Sequence, residues 1–374
     1  MSPAGKRLRV AVLSNAPVPY RTPMWARVAQ QLDLQMVYCT EPWVDPALQE
    51  QGRGYGVHML GGASWTGARR FLHADLGVWR LLSRLAPDVV VTTGFIPTFL
   101  LGQLWAAAHG RPHAVMSDGS WHQEQGLSPL HQRLRGWVYP RAAALVGASA
   151  GTLRVFRHHG APAQRCFLAP LCVDNEGFAA AAAARQASRE VDLLFCGRLV
   201  PHKQPLMALD IAAGVARRLA RRVRLRVLGD GPLREALLEA AARMPELVEL
   251  QWLGYRSQAE LPALYAGAGL LLFPTRWEPW GLVANEACAA GVPVLVSEEA
   301  GCAGDLVLDG VNGRVLPQRL DEWVDATCTL LEDEPLRRRL GAAAQARVQQ
   351  GWTFEHAAQG FVQAMACVQQ ERGR

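Results

Sequence analysis

Residues 268–297, AGLLLFPTRWEPWGLVANEACAAGVPVLVS, form a self-contained pattern of strand, loop, helix and strand. The first apolar run ends at Pro274, Gly281 opens a helical stretch, and Gly291-Val-Pro293 closes it before a second apolar run. Glycine and proline in these places are typical helix boundaries. Apolar runs without alternation are typical of strands buried on both faces. The stretch therefore predicts adjacent strands of a parallel sheet joined by a crossover helix.

The same alternation recurs along the chain and predicts an α/β protein built from βαβ units. In the first half we expect strands at 8–14, 32–39, 56–60, 88–93, 113–117, 143–148 and 166–171. In the second half we expect strands at 192–197, 223–228, 248–253, 269–274, 293–297 and 313–316. So many strands, in a chain of 374 residues, predict two Rossmann-like parallel-sheet domains with a ligand cleft between them.

The Ala-rich segment 174–190 interrupts the strand pattern and is the expected domain boundary. We therefore predict an N-terminal domain over 1–173 and a C-terminal domain over 174–353. The closing helix, at about 354–374, is expected to pack back on the N-terminal domain.

Composition excludes several classes of protein. With 50% hydrophobic residues the chain is not disordered in general. The longest apolar run, 95–108, has polar breaks and is too short to cross a membrane, and residues 1–15 resemble a first strand more than a signal peptide. Eight cysteines without a C-x-x-C pair favour a reducing cytoplasm and argue against a metal cluster.

Charge is distributed unevenly along the chain. The first 172 residues carry 17 Lys and Arg against 8 Asp and Glu, whereas the remainder carries 22 against 25. A basic first half favours an anionic partner, either a phosphate-bearing substrate or the inner face of the plasma membrane. The clustered basic–aromatic pattern of nucleic-acid binding is missing from the sequence, so no nucleic-acid partner is expected.

One basic and aromatic stretch, within residues 65–84, is expected to be helical. It is either a face for an anionic membrane or an ordinary solvated helix face. Its members are Trp65, Arg69, Arg70, Phe71, Trp79, Arg80 and Arg84.

Two cations follow the predicted strand that ends near Gly197. Arg198 and Lys203 lie in the loop before the next helix, and loops at the carboxyl ends of parallel strands face the ligand crevice. A planar guanidinium and a compact ammonium suit a diphosphate, although two ordinary surface cations would give the same pattern.

The strand–loop–helix unit of the opening stretch carries two carboxylates. Glu278 precedes the helix that Gly281 opens, where free N–H groups and the positive end of the dipole suit a phosphate. Glu286 lies inside that helix among apolar neighbours, where a bare carboxylate is costly, and a vicinal diol would be a natural partner. The structural alternative for Glu278 is a first-turn charge that complements the helix dipole. The structural alternative for Glu286 is a place on a solvated face of the helix.

A Gly-rich turn, Gly229-Asp-Gly231, also joins a strand to a helix. It resembles the beginning of a dinucleotide fingerprint, but Arg234 stands where the third glycine belongs. A tight structural turn is the simpler interpretation. The nucleotide alternative would make the chain an NAD-dependent oxidoreductase.

Together these stretches resemble the family 4 glycosyltransferases of the GT-B fold, closely over about 190–365 and more loosely before that. The order and spacing of the motifs carry the resemblance. They are G-R-L-x-P-x-K at 197–203, G-D-G-P at 229–232, W-L-G-Y at 252–255, E-x7-E at 278–286, A-x-G-V-P-V at 289–294 and D-G-x-N-G-x-x-x-P at 309–317.

The resemblance implies a retaining, metal-independent hexosyltransferase that uses a nucleotide-diphosphate sugar and needs no cofactor. It implies that Arg198 and Lys203 bind the diphosphate, Glu278 contacts the donor sugar and Glu286 binds the ribose. The implied contacts to base, sugar and phosphate come from Gly254, Tyr255, Gly281, Leu282 and Val283.

On the acceptor side the resemblance is less direct. Many family members carry a histidine after a middle strand of the first domain, and Asp118 stands in the corresponding place, with His122 as the fallback. A strand-end Asx turn is the structural alternative for Asp118. The loop that follows the first strand, with Asn15, Tyr20 and Arg21, is either a border of the acceptor or phosphate site or a simple Pro-rich turn.

The resulting prediction is a cytoplasmic enzyme, peripheral at the membrane if the basic domain binds lipid. It would transfer sugar to a sugar or lipid-linked acceptor in bacterial polysaccharide or glycoconjugate synthesis. A non-catalytic nucleotide-sugar-binding protein is the remaining alternative.

Overall fold

The computed structural model describes residues 7–40, 54–67, 70–184 and 193–372. The chain divides into two compact units. The N-terminal unit comprises Met1–Leu171 and Phe354–Arg374, and the C-terminal unit comprises Cys172–Thr353.

A seven-stranded parallel sheet forms the centre of the N-terminal unit, with strand order β3-β2-β1-β6-β7-β8-β9. An antiparallel hairpin, β4–β5, stands apart from it. The strands of the unit are β1 (Arg9–Ser14), β2 (Asp33–Tyr38), β3 (Gly56–Met59), β4 (Ala63–Gly67), β5 (Arg70–Ala74), β6 (Val89–Thr92), β7 (His113–Ser117), β8 (Ala144–Gly147) and β9 (Cys166–Leu168).

In the part of the chain that the structure describes, six α-helices lie between the strands of this unit in chain order. They are α1 (Thr22–Val28), α2 (Gly77–Leu85), α3 (Pro97–Ala108), α4 (Trp121–Gln125), α5 (Pro129–Val138) and α6 (Ala150–His158). Helices α2 and α3 pack on Ala11 and Val90, whereas α5 and α6 pack near Val115 and Leu145. Strand register aligns these side chains on one face of the sheet, so all four helices cover that face.

The C-terminal unit contains a six-stranded parallel sheet with strand order β12-β11-β10-β13-β14-β15. Its strands are β10 (Leu193–Cys196), β11 (Val223–Leu228), β12 (Val248–Gly254), β13 (Leu270–Phe273), β14 (Val294–Ser297) and β15 (Gly313–Leu316). Its helices are α7 (Asn175–Ala183), α8 (Pro205–Leu219), α9 (Arg234–Ala242), α10 (Leu261–Ala266), α11 (Leu282–Ala289), α12 (Leu320–Glu332) and α13 (Glu334–Gly351). The strand order reverses at β10, which creates a topological switch point between β10 and β13.

A last helix, α14 (Phe354–Arg372), belongs to the N-terminal unit. Its fully buried Phe361 meets Trp25 of α1 edge to face, with ring centroids 5.1 Å apart. Gly360 lies against the backbone at Leu168 and Ala169, so a side chain at this position would collide with main-chain atoms. The helix therefore approaches the end of β9 as closely as only a glycine allows.

The thirteen strands expected from the sequence are all present, and their ends differ from the predictions by no more than about three residues. The helical expectation for 65–84 is wrong in its first part, because Trp65 pairs with Leu72 across the β4–β5 hairpin. Helix α2 begins only at Gly77. Arg69 and the side chains of Arg70 and Phe71 lie outside the described part.

Within the described ranges, none of the helices combines the length and the apolar character needed to cross a bilayer.

Gly360→Ala should destabilise the protein, although alanine ordinarily stabilises a helix interior by about 1 kcal/mol over glycine. The added methyl group would collide with the Leu168 carbonyl, and we expect a net loss of about 2 kcal/mol or more in unfolding free energy. Urea denaturation measures it. Gly351→Ala is the matched control, because a Cβ there has no neighbour within 4 Å, and it should be neutral or stabilising. Equal effects of the two substitutions would contradict the close packing of α14.

Candidate functional site

The carboxyl ends of β10 and β13 lie beside each other at the switch point of the C-terminal sheet. Backbone and side-chain bonds hold their loops together. Arg276 N–H donates to the His202 carbonyl at 2.7 Å, and the buried Thr275 hydroxyl donates to the same carbonyl at 3.0 Å. The loop that carries the two predicted cations is therefore hydrogen-bonded to the loop that carries Glu278.

Lys203 ends a short 3-10 turn, Pro201–Lys203, and reaches across to Glu278, with which it forms an ion pair. Its ammonium also lies 5.5 Å from the centroid of the Phe273 ring. The pKa of Lys203 is lowered to about 8, chiefly by burial and also by the nearby charge of Arg198, whereas the Cys302 and Cys196 thiols oppose this shift. The lysine is thus still a cation at neutral pH, and the two predicted cations share one neighbourhood.

Gly281 lies between Glu278 and helix α11 in a left-handed conformation, with φ of 102°. Its Cα faces the Phe273 ring so closely that a Cβ would overlap the ring. Glycine is therefore required both by the backbone angle and by the packing. The consequence is an α11 N-terminus, with Leu282 and Val283 in its first turn, that begins directly beside the Lys203–Glu278 pair.

Glu286 lies in α11 and is only 5% exposed. Burial raises the pKa of its carboxyl group to about 7, against the opposing effect of the Tyr265 hydroxyl, which faces it from α10. Among the described residues, neither Glu286 Oε2 nor the Tyr265 hydroxyl makes a hydrogen bond of regular geometry, although the two groups lie close enough to influence each other's pKa. A buried carboxylate oxygen without a donor costs stability, so this position is adapted to something other than folding.

Sequence reasoning missed the neighbours of Glu286. Tyr265 is fully buried in α10, and Cys196 ends β10 beside it, with a thiol whose pKa burial raises to about 12. A tyrosine within the apolar stretch LPALYAGA was a usable signal, because a buried phenol needs a polar partner. His202 and Trp277 were also missed; their rings meet edge to face, with centroids 5.8 Å apart.

The backbone of the loop after β10 occupies the space beside the Gly229–Gly231 turn. A Cβ on Gly229 would strike the Gly197 carbonyl, and one on Gly231 would strike the Leu199 carbonyl. Leu199 N–H also donates to the Asp230 carbonyl at 2.9 Å. These glycines let the turn pack against the loop after β10, which favours the structural interpretation over the dinucleotide alternative.

Two further predicted residues lie at the carboxyl end of β12, where Gly254 is the last residue of the strand and Tyr255 follows it. Gly254 adopts a left-handed φ of 67°, and its carbonyl accepts a bond from Gly229 N–H at 2.8 Å. Tyr255 is 76% exposed, so its ring is available at the rim of the same sheet edge.

In the N-terminal unit, Arg21 and Asp118 form an ion pair across the carboxyl ends of β1 and β7. The strand-end turn is made by Ser117, whose hydroxyl accepts a bond from Gly119 N–H at 3.1 Å. Asp118 therefore does not form the Asx turn that was its structural alternative. Its carboxylate pairs with Arg21 instead. Burial raises the pKa of the adjacent Tyr20, and the charge of Asp118 adds to this.

The other two residues predicted for the acceptor site, Asn15 and His122, take no part in the Arg21–Asp118 ion pair. Asn15 is exposed just after β1, and its carbonyl accepts bonds from Cys39 N–H and Thr40 N–H. His122 lies in α4, and its side chain is outside the described part of the chain. Within the described ranges, no group of three His, Cys, Asp or Glu residues is arranged to hold a metal ion.

Two family models match successive parts of the chain. Residues 24–176 match the model described as glycosyltransferase family 4, and residues 180–347 match the model described as glycosyl transferases group 1.

Curated relatives align over part of their length. A D-inositol 3-phosphate glycosyltransferase of Nocardia farcinica is 34% identical over 48% of this chain and 41% of its own. A glycogen synthase of Mycobacterium tuberculosis is 30% identical over 63% of this chain and 57% of its own. The chain thus spans about half the length of these relatives.

A solved structure of Anabaena Alr3699/HepE in complex with UDP and glucose is similar in fold. Its TM-score is 0.73 at 17% identity, covering 96% of this chain and 99% of that protein.

Glu286→Gln should remove a pH dependence of stability. In the wild type the folded pKa is raised from 4.5 to about 7, so the native state binds more protons than the unfolded state between these values. Stability from this group is therefore present at low pH and falls, by about 3 kcal/mol, as pH rises through that window. The glutamine variant should lack the fall.

Urea denaturation of both proteins between pH 4.5 and 8 measures the difference. The change at Lys203 lies above this window, since its lowered folded pKa is about 8. Parallel stability curves for the two proteins would contradict the buried, unpartnered carboxylate.

Proposed function

Because the chain belongs to the family 4 glycosyltransferases and has the GT-B fold, we propose that it transfers a sugar from a nucleotide-diphosphate sugar to an acceptor hydroxyl. The observation that supports this is the convergence of Arg198, Lys203, Glu278 and Glu286 on one switch point of the C-terminal unit. UDP accompanies glucose in the related Anabaena structure, which favours a nucleoside diphosphate as the leaving group.

In this proposal the diphosphate lies between the two cations and the N-terminus of α11. Lys203 exchanges the Glu278 carboxylate for a phosphate, so its positive charge stays compensated throughout. Arg198 adds a second, exposed cation, and the first amides of α11, from Leu282 and Val283, supply neutral donors. Glu278, released from Lys203, becomes free to accept bonds from hydroxyl groups of the donor sugar.

Glu286 would bind the ribose of the nucleotide through its carboxylate. The two hydroxyls of a vicinal diol can donate to its two carboxylate oxygens, which satisfies the unpartnered Oε2 and favours the ionised form. The neighbouring Tyr265 hydroxyl, which favours the ionised form of Glu286, would support the carboxylate in this role. Gly254 and the exposed ring of Tyr255 would border the base.

Departure of the nucleotide leaves negative charge on the diphosphate and positive charge on the sugar ring. Lys203, Arg198 and the α11 dipole would stabilise the departing group. Glu278 and Glu286 act in binding, so the paired-carboxylate mechanism of glycosidases does not apply. We propose a retaining reaction, as the family resemblance implies. The acceptor hydroxyl attacks the sugar from the face that the phosphate leaves, and the departing phosphate oxygen takes the acceptor proton. No metal or other cofactor is needed in this proposal.

Asp118 is the proposed catalytic group of the N-terminal unit. Its ion pair with Arg21 fixes the carboxylate at the carboxyl end of β7, with about 40% of the side chain still exposed. Its partner and the neighbouring Tyr20 would contact the acceptor or a phosphate. We propose a sugar or lipid-linked sugar as the acceptor, in cytoplasmic assembly of bacterial polysaccharide or glycoconjugate.

Nucleotide binding tests the donor side. Isothermal titration of UDP, GDP and ADP should give at least one clear complex, whereas NAD should bind weakly or not at all. Glu286→Ala should weaken that complex roughly tenfold to a hundredfold, because charge-assisted hydrogen bonds are lost. Glu298→Ala, which removes an exposed carboxylate just after β14, is the matched control and should bind normally. NAD as the sole ligand would overturn the proposal.

Turnover tests the acceptor-side unit. Asp118→Asn should reduce kcat by about a hundredfold or more in a donor hydrolysis or transfer assay, with little change in nucleotide affinity. A matched loss of affinity, or an unchanged kcat, would remove Asp118 from the reacting site. A wild-type protein that binds nucleotide-sugar but never turns it over would instead favour the non-catalytic binding protein.

A further inference from the structure

A long segment of the N-terminal unit carries charge of one sign. Residues 125–173 contain six arginines and neither aspartate nor glutamate. The segment includes α5, β8, α6 and β9. The acidic residue that precedes it, Glu124, is 4% exposed and is held by Arg135 and His159. The surface of α5 and α6 therefore has no carboxylate of its own to balance its arginines.

Helix α5 presents an unusual stripe to solvent. Leu130, Arg133, Trp137 and Arg141 follow one another at spacings of three, four and four residues, which places them on one side of α5 and of the 3-10 turn that continues it. Leu130 is 74% exposed and Trp137 is 56% exposed. The Arg141 guanidinium lies 5.4 Å from the centroid of the Trp137 ring, so the apolar and the cationic groups are interleaved.

The exposure of this stripe is not a packing defect of the helix. On the inner side of α5, Leu134 and Val138 pack in a core cluster with Val155 and Phe156 of α6. The Glu124 carboxylate additionally ties Arg135 of α5 to the His159 ring at the end of α6. A helix anchored this firmly keeps its outer stripe, called here the α5 stripe (Leu130, Arg133, Trp137 and Arg141), in a fixed orientation.

Helix α6 extends the cationic surface. Arg154 lies 4.1 Å from the centroid of the Trp121 ring, and the ring of His158 meets Trp121 edge to face at 5.1 Å. Arg157 is exposed on the same helix. The surface thus repeats the combination of arginine and indole that the α5 stripe shows.

We propose that the α5 stripe docks on an anionic lipid bilayer. Its arginines would pair with lipid phosphates, Trp137 would lie at the headgroup level, and Leu130 would enter the boundary of the acyl chains. A nucleic acid would also attract the arginines, but it offers nothing to a leucine that is 74% exposed. Charge complementarity together with the interleaved apolar side chains therefore favours a membrane.

This surface differs from the one that the sequence indicated at 65–84. There, Trp65 and Leu76 are 59% and 77% exposed, but Trp79 packs against His109, and Asp75 lies beside Leu76. That patch also carries the exposed Arg80 and Arg84, but Asp75 interrupts its positive charge. It provides a control of similar exposure on the same unit.

Vesicle flotation tests the proposal. The intact chain should bind vesicles of phosphatidylcholine and phosphatidylglycerol in equal parts, bind those of phosphatidylcholine alone much more weakly, and lose binding in high salt. Arg133→Glu with Arg141→Glu should reduce partitioning at least about twentyfold, because each surface arginine contributes roughly fivefold. Leu130→Ser with Trp137→Ser should reduce it about tenfold or more while leaving the salt dependence in place.

Two controls keep the experiment decisive. Arg243→Glu with Arg338→Glu changes the net charge equally but in the C-terminal unit, and Trp65→Ser with Leu76→Ser removes exposed apolar groups from the other patch. Both should bind vesicles like the wild type. Thermal unfolding checks each variant, and Arg133→Gln with Arg141→Gln replaces the glutamate pair if that pair unfolds.

The proposal is overturned if the stripe variants bind vesicles as the wild type does, or if the control variants lose as much binding. It is also overturned if a single-stranded RNA, but not the anionic vesicle, is the ligand that the stripe variants fail to bind. The proposed transfer reaction is independent of these results, because nucleotide titration reports on it separately.

Discussion

The ion pair between Lys203 and Glu278 joins the two loops on which the site depends. One partner follows β10 and the other follows β13, so the pair closes the switch point of the C-terminal sheet. Bonds from Thr275 and Arg276 to the His202 carbonyl fix the same two loops from their backbones. A largely buried ion pair of this kind contributes little net stability, because the cost of desolvating the two charges offsets their attraction. The pair matters because it presents a cation and a carboxylate to a ligand, and a ligand can replace each of them as the partner of the other.

The surroundings of that pair are arranged at a cost to folding. Glu286 is buried with one oxygen unpartnered, and Gly281 is in a left-handed conformation against an aromatic ring. Neither feature improves the core of the unit. Local departures from the rules of a stable fold are expected at functional sites, where the missing interaction is supplied by the ligand. In the C-terminal unit, both of these costly features therefore lie at the same edge of the sheet.

Much of the fold could be predicted because its signals are local. Runs such as LLLF and VLVS are apolar on both faces, which strongly favours buried parallel strands. The β4–β5 hairpin escaped prediction because each of its strands is only five residues long and lacks the continuous apolar run of the sheet strands. The cations and carboxylates of the site were found from their positions after strands. Tyr265 and Cys196 were not, because they meet Glu286 from elements distant in sequence.

The amino-acid sequence by itself determined the succession of strands and helices, the left-handed glycines and the residue types placed after each strand, since these depend on neighbours along the chain. Only the tertiary structure decided which charges meet. Lys203 is neutralised by Glu278 and Asp118 by Arg21, and both pairs join loops far apart in sequence. It also decided that the Gly229–Gly231 turn is filled by backbone and that the α5 stripe faces solvent. The physical reason is that burial and ion pairing depend on distances in space, which strand order and register set and local sequence does not.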